Sequence, residues 1–295
     1  MPSKRGFTLM ELLVVIAIIA LLVGLLVPAL AKARRNSEST KDGTQQKEIH
    51  RTFLAWANHN EGVLPIPGQI DRDGDVPGQG LEQYALNTSQ SLYSAMIAQQ
   101  YFDTAILIGP TEVNRVVKRY DGVGGSGYDY TQYDPSQNLY WDAGFGMDIA
   151  DEDPDFDCNA SFAHTAICGV RKNRHWRDTQ DSTFPIMGTR GVERGLPPYH
   201  PEHDTSPTLR LHGPKNQWVG NVIFADNHLE QLQNFYPAQT LYELNDGTTQ
   251  KDNIFNYEFP FDPDNRGAPD AWLVISTVAA PDGNTVDEKY DALSN

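Results

Sequence analysis

The chain has 295 residues, a formal net charge of −16 at pH 7 and two cysteines. This length can bury a sizeable core in one large domain or two small ones. The charge is uneven: five of the 23 basic residues and one of the 39 acidic residues precede Asn36, which leaves roughly −20 on the remainder. Such a surface excludes nucleic-acid binding by charge alone, because phosphate contacts need basic groups. It fits a solvated, exported domain or one that meets divalent cations.

An uncharged apolar run covers residues 12–31. Its length of about 20 residues is what an α-helix needs to cross a bilayer. A secretory signal peptide has a shorter apolar core followed by a small-residue cleavage site, and no such site follows Ala31. Two basic residues precede the run and three follow it, which weakly favours an orientation with the N-terminus outside the cytoplasm. The pattern predicts a membrane-spanning helix without deciding its direction.

Glu11 lies at the edge of this run, where an ionised carboxylate costs several kcal/mol unless a cation pairs with it. The alternative is a carboxylate that caps the helix N-terminus together with Thr8. No proline follows Pro28 until Pro65, so one helix is predicted from Phe7 to about residue 59, on the order of 80 Å long. Pro28 is expected to bend or locally unwind this helix. Apolar residues at helical spacing after residue 49 predict a stripe that packs on the rest of the protein.

The sequence KRGFTLME at residues 4–11 resembles the prepilin motif of type IV pilins and type II secretion pseudopilins. In that family a membrane-embedded aspartyl peptidase cuts after the glycine on the cytoplasmic side and N-methylates the new first residue. The resemblance implies a leader at residues 1–6, cleavage after Gly6 and methylation of Phe7. It also orients the span with its N-terminus in the cytoplasm. Pro28 matches the helix-kinking proline that is usual in the family.

Cleavage would free an amine at Phe7, and a carboxylate in lipid needs a cation. Glu11 of one subunit is therefore predicted to pair with the Phe7 amine of a neighbour, which favours assembly with the helices in register. The resemblance implies three kinds of partner: a prepilin peptidase and N-methyltransferase, other pilin or pseudopilin subunits, and an inner-membrane assembly platform. It places the protein in the inner membrane as a single-pass protein, with its head in the periplasm or at the cell surface.

The predicted fold is α+β, with a kinked N-terminal transmembrane helix packed on a loop-rich antiparallel β-sheet head. The expected parts are the leader at 1–6, the helix at 7–60 with its span at about 7–31, and the head at 61–295. Within the head, helices are predicted at 88–101 and 111–119, and a last strand at 272–278. The clearest hairpin joins strands at 218–225 and 228–232 through a tight Asp226-Asn227 turn.

The hairpin sequence NVIFADNH, residues 221–228, carries a second resemblance. It is similar to the Asn-Val-x-Phe-Ala-Asp-Gly-His hairpin near the C-terminus of many large pilin-like proteins of planctomycete-type bacteria. Asn227 replaces the usual glycine, a change that the turn tolerates because asparagine accepts a positive φ. Residues 62–217 carry no resemblance.

Asp71, Asp73 and Asp75 present three carboxylates at alternate positions of a loop, as oxygen ligands are offered to Ca²⁺. No glutamate closes the loop at its twelfth position, so a solvated acidic turn is the alternative. Pseudopilins of the major type bind calcium in the head, so the resemblance implies Ca²⁺ as a candidate cofactor at these residues. Weaker metal candidates are the acidic runs 151–157 and 262–265 and the histidines His200, His203, His212 and His228.

Cys158 and Cys168 form a local disulfide if the head lies in an oxidising compartment, and are ordinary buried thiols otherwise. The sequence has no Gly-x-Ser-x-Gly elbow and no phosphate-binding loop, so an enzyme is not predicted. The leading hypothesis is a structural subunit of a type II secretion pseudopilus or a type IV pilus-like filament. The alternative is a membrane-tethered carbohydrate- or surface-binding module that does not polymerise.

Overall fold

The structure is a computed structural model. It describes residues 7–70, 82–132, 140–149, 158–196, 205–214, 216–243, 247–257 and 270–291.

Helix α1 covers Leu9–Ala57, 49 residues, close to the predicted range. It begins where the Thr8 side chain caps the first turn. It ends where Gly62, at a φ of 77°, turns the chain and donates its N–H to the Ala57 carbonyl over 2.9 Å. The helix continues through Pro28, so the expected local unwinding is wrong, while a bend there stays a prediction.

A five-stranded antiparallel sheet forms the centre of the head, with strand order β4-β3-β2-β1-β7. Its strands are β1 (Phe162–Thr165), β2 (Pro185–Thr189), β3 (Gly220–Phe224), β4 (Leu229–Leu232) and β7 (Leu273–Val274). A separate hairpin pairs β5 (Leu241–Glu243) with β6 (Thr249–Lys251). The described residues also form two short α-helices, α2 (Ser89–Ala98) and α3 (Gly169–Arg174), and several 3-10 turns. The α+β class, with a long N-terminal helix and an antiparallel sheet, is confirmed.

The C-terminal half of α1 packs against β3 and β2. Ile49, Phe53 and Trp56 form its apolar stripe, and each is at most 4% exposed. Burial of a side chain of this size contributes about 2 kcal/mol relative to leaving it in water. Strands β1, β2 and β3 are buried along their whole length, because elements cover both faces of the sheet.

The two predicted head helices have opposite outcomes. Helix α2 is confirmed, with the Thr88 side chain accepting a hydrogen bond from the Ser91 N–H over 3.1 Å. The helix predicted at 111–119 is wrong, and the segment is a series of turns. The Glu112 carboxylate accepts hydrogen bonds from the N–H groups of Val113 and Asn114, both at 2.8 Å. These local bonds replace the helical ones.

The predicted hairpin is confirmed as β3 and β4, but its turn is longer than expected. Ile223 lies opposite Leu229, and the Phe224 N–H still bonds to the His228 carbonyl over 3.1 Å. The loop therefore holds three residues rather than two, with Asn227 alone at a positive φ, 65°. A three-residue hairpin needs its third residue in the left-handed region, which asparagine adopts readily.

The predicted last strand is shorter than expected. Only Leu273 and Val274 pair with β1. Beyond them, the Ser276 N–H bonds to the Ser89 hydroxyl over 2.9 Å, and the Thr277 N–H bonds to the Asp287 carboxylate over 2.7 Å. Side-chain acceptors thus replace a neighbouring strand.

Candidate assembly site and the helix–head junction

The first turn of α1 holds the residues expected to carry assembly. The Thr8 N–H and hydroxyl both donate to Glu11 Oε2 over 2.8 Å, and the Glu11 N–H donates to the Thr8 hydroxyl over 3.2 Å. This is a complete capping box. A single chain therefore shows the capping arrangement, and it leaves Glu11 Oε1 without a partner among the described residues. Phe7 is 76% exposed, and Gly6 lies outside the described residues.

The apolar half of α1 is exposed over its whole length. Every side chain from residue 7 to residue 37 is exposed, although the most apolar window has a mean hydropathy of 3.1. Among the described residues, α1 is a helix long and apolar enough to cross a membrane. Pro28 lies inside this half and cannot donate the helical hydrogen bond to the Gly24 carbonyl.

A buried carboxylate, Asp42, joins α1 to the head. Its Oδ2 accepts hydrogen bonds from Gln46 Nε2 at 2.7 Å and Asn221 Nδ2 at 3.0 Å. His212 Nε2 lies 3.2 Å and Thr189 Oγ1 3.4 Å from the same oxygen. Asp42 is 2% exposed, and a buried carboxylate requires several donors to offset its lost hydration. One side chain thus connects α1 with β2, β3 and the turn that contains His212.

Asn221, the first residue of the NVIFADNH sequence, makes two contacts with the helix. Besides its bond to Asp42, Nδ2 donates to the Ser39 carbonyl over 2.8 Å. The helix approaches closely here because Gly43 has no side chain: a Cβ at this position would lie 2.6 Å from Leu229 Cδ2 and 3.3 Å from Asn221 Cγ. The hairpin therefore serves as the docking surface for α1.

His50 makes the other contact between α1 and this hairpin. Its Nδ1 lies 3.1 Å from Asn227 Oδ1, and its side chain is fully buried. Burial lowers the pKa of His50 to about 4, although Asn227 and the Asp226 charge oppose this shift. Asn227 thus provides both the left-handed backbone of the turn and an acceptor for the helix, which the glycine of the resembling sequences lacks.

A second buried cluster lies around Arg190 at the end of β2. Its Nη1 and Nη2 contact the Glu112 carboxylate at 2.7 and 2.8 Å. Its Nε and Nη2 contact Asp291 at 2.9 and 3.1 Å. Burial opposes the charged guanidinium, but Asp291 and Glu112 outweigh it and hold the pKa of Arg190 above its ordinary value. The cluster joins segments almost 180 residues apart in sequence and fixes the position of the C-terminal segment against the sheet.

Sequence reasoning missed both clusters. For Asp42 a signal exists, since Ser39, Asp42 and Gln46 continue the three- and four-residue spacing of the buried stripe toward the N-terminus. Polar residues on such a face indicate a polar interface. For Arg190, Glu112 and Asp291 a single sequence offers no signal, because none of the three lies in a recognisable pattern.

The calcium candidates Asp71, Asp73 and Asp75 lie outside the described residues, so calcium stays a prediction. The same holds for the runs 151–157 and 262–265 and for His200 and His203. His212 and His228 are described and lie in different places: His212 contacts Asp42, while the His228 ring stacks on Phe224 with centroids 4.5 Å apart. Within the described ranges, no group of three histidine, cysteine or acidic side chains is arranged to hold a metal.

The local disulfide is not formed: Cys158 and Cys168 are both free, buried thiols. The thiol of Cys158 donates to the Ala160 carbonyl over 3.2 Å within the main core, whereas Cys168 packs in a separate cluster with Trp272. Strand β1 lies between the two cysteines in the sequence. Burial raises the pKa of Cys158 to about 12 and that of Cys168 to about 11.

A family model described as the prokaryotic N-terminal methylation motif matches residues 1–27. No curated protein and no solved structure matches the chain. The motif, together with the long apolar helix, fits a type IV pilin-like protein. It implies processing by a prepilin peptidase and assembly with other pilin subunits, and proteins that carry it are generally structural rather than enzymatic. The apolar helix is consistent with the membrane anchor of a pilin.

Proposed function

We propose that this protein is a pilin or pseudopilin subunit that is cleaved after Gly6, N-methylated at Phe7 and polymerised through α1. The product is a type II secretion pseudopilus or a type IV pilus-like filament. The observation that carries the proposal is the exposed apolar half of α1, which overlaps the methylation motif and has an acidic residue, Glu11, in its first turn. After extraction from the membrane, such a surface is stable only against other helices.

The register of the filament comes from the first turn. Cleavage leaves a positive amine on Phe7, and Glu11 retains Oε1 for a bond to the amine of a neighbouring subunit. In a low-dielectric bundle, a misaligned subunit leaves one uncompensated charge on each chain, which costs several kcal/mol. The inner-membrane location, the cytoplasmic leader and the assembly platform belong to this same proposal.

Calcium binding by Asp71, Asp73 and Asp75 is also proposed, as a means of ordering an acidic loop of the head. Chelation followed by limited proteolysis of purified filaments tests it. Removal of Ca²⁺ should create a cleavage site near these residues, and an unchanged digestion pattern would contradict it.

The first experiment is the mass of the N-terminal peptide from protein purified out of its own membrane. The expected product begins at Phe7 and carries one additional methyl group. Replacement of Gly6 by a bulky residue should leave the uncut precursor, while replacement of Ser3, which lies in the leader away from the bond, should not. An intact Met1 in the unaltered protein would overturn the processing step. The better hypothesis would then be the membrane-tethered carbohydrate- or surface-binding module.

A further inference from the structure

A cleft of about 430 Å³ lies in the head, away from the α1 junction. This volume is within the range of sites for small molecules. Its walls come from the turn at 193–195, from residues 256–257 at the end of a loop and from the segment 285–290. The residues that matter for its chemistry are Glu193, Arg194, Tyr257, Trp272, Glu288 and Tyr290.

One wall is aromatic. The rings of Tyr257 and Trp272 stack with centroids 5.2 Å apart and an angle of 20° between their planes. The guanidinium of Arg171, buried beside Asp270, lies 4.8 Å from the Tyr257 ring and 5.4 Å from the Trp272 ring. Cation–π contacts on both rings hold this wall in place before any ligand arrives.

The indole N–H of Trp272 is a donor without a hydrogen-bond partner among the described residues. The side chain is 1% exposed, and its indole Nε1 has no acceptor in the part of the chain that the structure describes. A buried donor without a partner costs about 1–3 kcal/mol, and buried indoles ordinarily find one. Since Trp272 lines the cleft, a ligand oxygen can supply the missing acceptor.

The rest of the lining is polar, and the backbone of one of its residues, Arg194, is strained. Glu288 accepts a hydrogen bond from the Tyr290 hydroxyl at 3.0 Å and lies 3.7 Å from Arg194 Nε. Burial raises the pKa of Glu288 above its ordinary value, so hydrogen-bond donors from a ligand would favour its ionised form. Arg194 has a φ of 47°, and strained residues of this kind concentrate at ligand sites.

We propose that this cleft binds an uncharged pyranose sugar. The half-buried Tyr257 ring, backed by Trp272, packs against the apolar face of a sugar ring, while carboxylates, tyrosine hydroxyls and the free indole N–H bond to its hydroxyl groups. The cleft holds two carboxylates, Glu193 and Glu288, against one cation, Arg194. Its net negative charge therefore selects neutral sugars over uronic acids.

The test uses the full-length protein in a zwitterionic detergent, because maltoside and glucoside detergents would occupy the cleft. A glycan array that contains neutral sugars and uronic acids identifies a ligand, and calorimetry measures its affinity. Glu288→Gln and Tyr290→Phe should each weaken binding at least tenfold. The control, Glu48→Gln, removes an exposed carboxylate of α1 and should leave the affinity unchanged. Thermal unfolding of each variant shows whether it is folded.

A second readout follows the indole directly. With ¹⁵N-labelled tryptophan, the Nε1–H resonance assigned through Trp272→Phe should shift on saturation, while the other four tryptophan signals stay in place. Absence of any neutral ligand, preference for uronic acids, or equal affinity in folded Glu288→Gln and Tyr290→Phe variants would each overturn the proposal. The proposed assembly contacts lie on α1 and include none of these residues, so a failure here is distinguishable from a failure of the pilin assignment.

Discussion

The two halves of α1 belong to one continuous helix and differ in almost everything else. The first half is apolar and uncharged from residue 12 to residue 31, and every side chain from Phe7 to residue 37 is exposed. The second half is amphipathic and buries a stripe that alternates apolar side chains with Asp42, Gln46 and His50. The first half therefore depends on lipid or other subunits, while the second half is positioned by the head itself.

For the proposed filament subunit, the difference separates two tasks, assembly and attachment of the head. Van der Waals packing of an apolar surface is tolerant of rotation, so under this proposal a single charge, Glu11, specifies the register. The head junction is instead specified by directional bonds to Asp42 and His50, which allow one angle between helix and head. The following four variants test this contrast, beginning with the largest expected effect.

Glu11→Val should abolish most filament assembly, because the neighbour's Phe7 amine would then lack its counter-charge in the membrane. Cleavage after Gly6 should continue, since the bond that is cut lies five residues away. The measurement is the pelleted filament fraction, with the N-terminal mass as a check on processing. Glu48→Val, which removes an exposed carboxylate from the second half of α1, is the matched control. Wild-type filament yield from Glu11→Val would contradict the pairing.

Asp42→Ala should destabilise the head by about 4 kcal/mol, because Asn221, Gln46 and His212 would lose their shared acceptor inside the protein. Urea unfolding of the detergent-solubilised chain, followed by tryptophan fluorescence, measures the change. Glu48→Ala should alter stability by no more than about 0.5 kcal/mol. If the two variants unfold at the same urea concentration, the junction does not hold the helix to the head.

Acidification should weaken the same junction. The pKa of His50 is about 4 in the folded protein and 6.5 in an exposed histidine. The unfolded chain therefore binds the proton first as the pH falls, so stability is lost from about pH 6.5 downward to about pH 4. The loss from this group amounts to about 3 kcal/mol.

His164, a buried residue of β1 with a pKa also lowered to about 4 by burial, adds a similar loss. His50→Gln should therefore reduce the slope of stability against pH by about half, whereas His59→Gln, at an exposed position, should leave it unchanged. An unaltered slope in His50→Gln would show that His50 is hydrated in the folded protein.

The smallest expected effect comes from two glycines of α1. Gly43→Ala places a Cβ 2.6 Å from Leu229 Cδ2, and repacking this partly exposed side chain should cost about 1 kcal/mol beyond the gain in helix propensity. Gly24→Ala meets nothing within 4 Å in the exposed half and should leave head stability unchanged. Equal stabilities for the two variants would mean that α1 does not approach β4 closely.

Sequence reasoning succeeded where the interactions are local. The bounds of α1 follow from the Thr8 cap and from the absence of proline between Pro28 and Pro65. The β3–β4 hairpin follows from its apolar strands and its Asp-Asn turn. Reasoning failed at 111–119, where the Glu112 carboxylate bonds to the N–H groups of Val113 and Asn114 and to Arg190. For the cysteines the sequence left a disulfide and buried thiols open, and the structure has free, buried thiols. In both places the outcome depends on which distant segment packs nearby.

The sequence by itself determined the processing motif, the apolar span and the position of Glu11, because these properties rest on composition and spacing along one helix. Only the tertiary structure decided that Asp42 is the centre of the helix–head junction, that Asn227 contacts His50, and that Glu193, Tyr257 and Glu288 share a cleft. Hydrogen bonds and burial act over a few ångströms. The partners they join here lie from about 30 to 180 residues apart, so folding must bring them together before their chemistry becomes apparent.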